Sequence, residues 1–330
     1  LKWYQRSFKI ATNEEIEKKR SYLEKMATRT SLLHNFVAAA NLEKFIVKNF
    51  CKQKSKNTKN FINAIRYDLA NDYVAKALYS LNSLKECVDK VGNSIKKEIL
   101  THLFEFDHET SLVSFIMEHK LEREFPLLVE NYYESYFWRY YSEKDKRHIR
   151  FYDLLSQLKS HQAQLFVKSF KSYEKFQEQS LKYLRNKVSI SSEMTPEIFN
   201  SKLMTRLNNF KIVTEKANNV LNQGHGKVNV LVYDQLVRVT RDLAREVENY
   251  KLMISDKDFQ KQFSSQMKQV ANKISTQGTN YIKASAQMIH KNSLLVETHK
   301  DSHQAFELLI ISDIRMPAST MAITFDIQGQ

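Results

Sequence analysis

Glycine and proline are scarce: the 330-residue chain contains five Gly and three Pro, where average usage is about 7% and 5%. Tight turns and sheet edges draw on both residues, so their shortage disfavours a β-rich architecture. An all-α fold is expected instead, an elongated bundle of long helices with a short β-hairpin at the C-terminus. Long apolar runs are missing too. Residues 111–117 and 306–311 are the longest candidates, well short of the roughly 20 residues that cross a bilayer. Cysteine occurs twice, at Cys51 and Cys87, with neither zinc nor redox spacing, and two free thiols in a reducing compartment are the expectation.

Catalytic signatures are also missing. There is no Gly-x-Ser-x-Gly elbow, no phosphate loop and no dinucleotide fingerprint; Gly224-His225-Gly226 lacks both the third glycine and a preceding strand. The reading that follows is non-enzymatic, with no cofactor, no metal and no small-molecule substrate. Thin leads exist. Glu105 and His108 sit three apart as in di-iron bundles, but no second such pair occurs. His299 and His303 sit four apart without the intervening Glu of a zincin. Cys51 beside a lysine-rich stretch is a candidate reactive thiol if His34 or His102 approaches it.

What the chain does have is apolar bulk and positive charge. Hydrophobic residues make up 42% and aromatics 12%, enough buried surface to offset the entropy of ordering, so the chain folds. The net charge is +14 and the pI about 9.4, which favours anionic partners. That charge is zoned: residues 1–100 hold 20 basic against 10 acidic side chains, 101–150 hold 7 against 10, 151–300 hold 23 against 13, and 301–330 hold 1 against 4.

Periodicity divides the chain into an N-terminal helical part (1–125), a long-helix bundle (126–300) and a tail (301–330). Thr12 and Glu15 form a capping box. Residues 51–60 read as a solvated lysine loop. A helical run over 61–91 closes at Gly92 in a positive-φ conformation, with Ser94 capping the next helix. Residues 142–187 carry one apolar stripe without Gly or Pro and read as a single helix of about forty residues. Thr195-Pro196 is a start signal, NQGHGK at 222–227 a hinge, and VNVLVY after it helical despite its β-type residues. The tail gains Ile, Thr and Phe around Pro317, as a short hairpin would.

Two constellations are candidates for binding. From Phe259 to Ser293 there are five lysines and no Asp or Glu. At about 100° per residue Lys261, Lys268, Lys273, Lys283 and Lys291 share one side, while Phe259, Phe263, Val270, Ile274, Tyr281 and Met288 share the opposite one. Without interleaved acid, that lysine face stays positive. Lys52, Lys54, Lys56 and Lys59 are a second cluster. The aromatics Tyr132, Tyr133, Tyr136, Phe137, Tyr140 and Tyr141 repeat as a broad buried helical face, leaving Trp138 and Arg139 on the other side as candidate interface residues.

The function expected is that of a helical interaction or scaffold protein, a subunit or adaptor contacting acidic partners through its basic surfaces. The partners expected are other protein subunits, with anionic lipid or nucleic acid as further classes. The alternatives are peripheral binding to an anionic membrane, or action as a secreted effector, and then nucleic-acid binding. An intracellular location, in an organellar matrix, fits the basic balance, the first residue Leu1 and the low cysteine count.

Overall fold

The computed structural model describes residues 13–187, 195–250, 257–291, 296–298 and 308–310. Among them are thirteen α-helices, and the chain divides into two compact units, Leu1–Phe125 and Pro126–Gln330. No helix among the described residues is long and apolar enough to cross a membrane.

The first unit contains α1 (Asn13–Leu32), α2 (Phe36–Asn49), α3 (Lys54–Ala70), α4 (Val74–Leu84), α5 (Asn93–Glu105), α6 (Glu109–His119) and the single turn α7 (Leu121–Glu124). Leu23, Phe45, Ile46 and Phe50 pack together between α1 and α2. Beside them Arg20, 4% exposed, satisfies its guanidinium within α1 and across to the start of α3. It donates to Glu24, Gln53, Asn57, Asn60 and the Lys56 carbonyl. Asn60 in turn donates to Glu43 and Asn57 to the carbonyls of Phe50 and Cys87. Removal of any partner would strand buried donors, so this network fixes the order of packing as well as its stability.

Cys51 and Cys87 are joined in a disulfide, Cα to Cα 4.4 Å, which overturns the expectation of free thiols. Cys51 follows α2 and Cys87 ends a 3₁₀ turn after α4, and the two Asn57 bonds hold both backbones against α3. Helical packing brings together residues 36 apart, a juxtaposition that spacing alone does not reveal. The reactive-thiol lead at Cys51 ends with it.

The second unit contains α8 (Pro126–Ser142), α9 (Arg147–Gln157), α10 (His161–Arg185), α11 (Pro196–Leu221), α12 (Gly226–Glu248) and α13 (Lys257–Lys291). The aromatics of α8 form its core: Phe137 and Trp138 meet Phe166 and Phe170 of α10 edge-on, and Tyr136 stacks on Phe151 of α9. Thr195 caps α11 ahead of Pro196, and Gly224 at φ +86 makes the turn before His225 caps α12. The VNVLVY stretch is helical, buried on several sides.

Three expected runs are broken. Residues 51–60 are not a loop, because α3 starts at Lys54. The run over 61–91 is interrupted after Ala70, and Gly92 has φ −69, an extended residue preceding α5. The forty-residue helix over 142–187 is α9 and α10, separated by extended Leu158 and by Ser160, whose hydroxyl accepts the Ala163 N–H. The break after Ala70 has a chemical reason: in a chain with so little glycine, Asp72 takes the left-handed conformation that ends helices, as do His34, Asp107, Lys120 and Lys144, all at φ 53 to 60.

Thr12 of the expected capping box lies outside the described residues, as does most of the tail. A hairpin around Pro317 is not supported. Only Val296–Thr298 and Leu308–Ile310 are described there, two three-residue strands paired antiparallel.

Candidate functional site

Helix α13 is 35 residues long, about 52 Å at about 1.5 Å per residue. It packs along α12 through Met267, Ala271, Ile274, Gly278 and Ser285, all buried. With Lys261 at zero, these residues fall between roughly 220° and 280°. The expected inward face centred on larger residues near 190° is therefore turned by about 60°, and Phe259 at its edge is 40% exposed. The rotation follows from close approach, since Ala271, Gly278 and Ser285 recur every seven residues, and at Gly278 the Thr240 side chain of α12 leaves no room for a Cβ.

Lys261, Lys268, Lys273 and Lys283 are exposed and lie between roughly −20° and 120°, on the side away from α12. None of the four forms an ion pair among the described residues. The side chain of Lys291 lies outside the described set. Between the lysines are Ser264, Gln266, Gln269, Asn272, Thr276 and Asn280, all polar and exposed. The face is a strip of positive charge on a neutral polar background.

The second lysine cluster lies at the N-terminal end of α3. Lys52, Lys54 and Lys59 are exposed, and Lys56 pairs with Glu17 of α1 at 3.1 Å. The Lys56 ammonium holds the Glu17 carboxyl below its usual range. Lysines beside the positive end of a helix dipole add repulsion that an anion would relieve.

Trp138 is not a surface contact. It is 1% exposed, lies among Phe137, Tyr141, Phe166 and Phe170, and donates its indole N–H to Glu134 at 2.8 Å. Helix α8 is covered nearly all round, so Trp138 lies off the aromatic stripe but still inside the core. Arg139 is half-buried, 3.5 Å from Glu143, with its guanidinium over Tyr140. The same Glu134 carboxylate meets His225 at 3.8 Å and Lys227 at 3.5 Å. Burial pushes the His225 pKa below its ordinary value despite Glu134.

A third constellation lies in the first unit, and sequence reasoning missed it. Asp72, His102 and His108 bring one donor atom each within 4.8 Å of one another. Asp72 is in the turn between α3 and α4, His102 on the last turn of α5, and His108 just ahead of α6. His108 Nε2 is 2.8 Å and His102 Nε2 3.3 Å from the same oxygen, Asp72 Oδ1. The bond to His108, helped by that to His102, holds the Asp72 carboxyl below its ordinary range. Phe106 stacks on His102 with centroids 4.3 Å apart. The lead at His108 thus has different partners from the one expected: Glu105 is not in the group. His299 and His303 lie outside the described residues. Only the spacing of His102 and His108 around one helix end was local, and Asp72 comes from 30 residues earlier.

No protein-family model, curated protein or solved structure matches this chain.

Proposed function

We propose that this chain is a non-enzymatic helical interaction protein, a subunit or adaptor of a larger assembly, which docks an acidic protein surface on the lysine face of α13. The observation that carries this reading is the one-sided charge: Lys261, Lys268, Lys273 and Lys283 are exposed, opposite the α12 contact, without an acidic partner among the described residues. Four like charges along one rigid helix repel one another, and a complementary acidic surface relieves that repulsion while steering encounter.

The surroundings favour protein over the other anionic partners. Peripheral membrane helices combine charge with large exposed apolar residues, whereas the exposed large apolar residue of α13, Phe259, lies off the lysine face. Single-stranded nucleic acid is held by aromatics and arginine between the charges; here Ser, Thr, Asn and Gln fill those positions. The lysines at the start of α3 are a second basic surface of the same kind. The Cys51–Cys87 disulfide fits an oxidising compartment better than the reducing one first expected.

The test is a parallel titration of the purified chain with poly-glutamate, anionic vesicles and single-stranded RNA, each at low and physiological salt. Salt-sensitive binding to poly-glutamate, stronger than to the other two, is expected. A preference for vesicles or RNA would replace the acidic-protein reading with a membrane or nucleic-acid one.

A further inference from the structure

We propose that Asp72, His102 and His108 form a binding site for a divalent transition metal of the zinc class, with a fourth position open to solvent. This goes beyond the interaction role of α13 and does not depend on it.

The donors fit such an ion in kind. Two imidazole nitrogens and one carboxylate oxygen suit a borderline cation such as Zn²⁺, whereas Ca²⁺ and Mg²⁺ demand six or more oxygens. They fit in number, since three protein ligands leave room for one water, as sites that act on a bound ligand do. They also fit in spacing. Bonds of about 2.0–2.1 Å in a tetrahedron place neighbouring donors about 3.3 Å apart, and the two oxygen-to-nitrogen edges here are 3.3 and 2.8 Å.

Three further features support ligation over a plain hydrogen-bonded cluster. Both rings bring Nε2 to one oxygen, Asp72 Oδ1, so the three donor atoms already lie side by side, within 4.8 Å of one another. The donors stand on separate turns of the fold, at 72, 102 and 108, each held by backbone bonds: Tyr73 to Asp68, Phe106 to His102 and His108 to Leu103. The His102 ring is further oriented by Phe106, as a preorganised ligand requires. Access is open, because the Asp72 side chain is 53% exposed and stands between two surface grooves, one bordered by Tyr73 and Ser111, the other by Asn71 and Thr101. An ion entering there would take the place of the two Nε2–Asp72 hydrogen bonds, each neutral ring carrying its proton on Nδ1, and would tie the α3–α4 turn to both ends of the α5–α6 connection.

The test is calorimetric titration of the full chain with Zn²⁺, with the disulfide intact, no affinity tag, and prior stripping by chelator. One saturable equivalent is expected. Affinity should fall about tenfold or more in His102→Gln and in His108→Gln, and it should persist in His161→Ala and in the double variant His299→Ala/His303→Ala. Co²⁺ in place of Zn²⁺ should give the visible absorption of a tetrahedral site, lost in the same two variants. If a Gln variant fails to fold by circular dichroism, Asp72→Asn replaces it, because the amide keeps a hydrogen-bonding oxygen but is a poor ligand. No uptake by the wild type, or uptake unchanged in the folded ligand variants, overturns the assignment.

Discussion

Gly278 on α13 faces Thr240 on α12 so closely that a Cβ at position 278 would stand 2.8 Å from Thr240 Oγ1. Thr240 is fully buried and its hydroxyl already bonds the Leu236 and Val237 carbonyls, so it has little freedom to move away. Gly278→Ala should therefore destabilise the second unit. Overpacking costs about 1–3 kcal/mol, offset by up to about 1 kcal/mol of helix propensity. Adding Thr240→Ala removes the obstructing oxygen and should return part of the loss. Urea unfolding in a Trp3→Phe background, where Trp138 alone reports, measures both variants; a Gly278→Ala protein more stable than wild type would refute the close contact.

Arg206 and Glu246 form a buried pair at 2.7 Å, with side chains 2% and 6% exposed. The guanidinium also donates to the carbonyls of Tyr183 and Asn186 and lies 3.7 Å from the Tyr183 ring centroid, while Tyr250 donates to the other Glu246 oxygen. Glu246→Ala would leave an uncompensated buried charge, at a cost of about 3–5 kcal/mol. Replacement of both partners by Leu and Met should cost less than this single change, and a double variant as unstable as the single one would contradict the charge argument.

The left-handed residues that end helices carry a conformational penalty. Lys144, at φ 56, is exposed, and glycine adopts this conformation without the steric cost of about 1–2 kcal/mol, while losing part of that gain to unfolded-state entropy. Lys144→Gly should raise stability by about 0.5–1 kcal/mol. A thermal melt of the variant decides, and a lower midpoint would mean that Lys144 makes a contact worth more than its strain.

Much of this fold was legible, and the failures have a physical pattern. Apolar periodicity revealed helices because burial selects for it, and Thr195-Pro196 marked a start because capping chemistry is local. Breaks at Asp72 and Lys144 were illegible, because the residues that make them are not the ones that usually do. The lysine side of α13 could be read from spacing, since no acid interrupts it. Its buried side could not, because Ala271, Gly278 and Ser285 define the contact by smallness and not by apolarity. Trp138 was misread because α8 is buried on nearly all sides around it, so helical phase carried little information about exposure. Asp72, His102 and His108 meet only through tertiary packing.

Acid should weaken the second unit through His225. Its folded pKa lies below the ordinary 6.5 because it is buried against Phe166, with Glu134 opposing the shift and Lys227 adding to it. The unfolded chain therefore takes up the proton first. The stability contributed by the neutral ring is complete above pH 6.5 and is lost as pH falls through the lower, folded value. Protonation would also remove the Nδ1 acceptor that caps Val228. His225→Asn keeps a capping side chain but does not titrate, so between pH 7 and mildly acidic pH it should lose less stability than wild type. Parallel losses in the two proteins would rule His225 out as the cause.

The lysine face itself is best tested by charge reversal matched for net charge. One variant carries Glu at 261, 268, 273 and 283; the control carries Glu in place of Lys168, Lys171, Lys175 and Lys182, exposed residues of α10, a helix that also bears Glu174 and Glu178. Both lose the same overall charge, and poly-glutamate affinity is measured for each at physiological salt. At about 0.5–1 kcal/mol per exposed contact, with repulsion added, the α13 variant should bind on the order of a hundredfold more weakly. The α10 variant should remain within a few-fold of wild type. Equal losses in the two variants would show that total charge, and not the face of α13, governs binding, and would contradict the proposed docking surface.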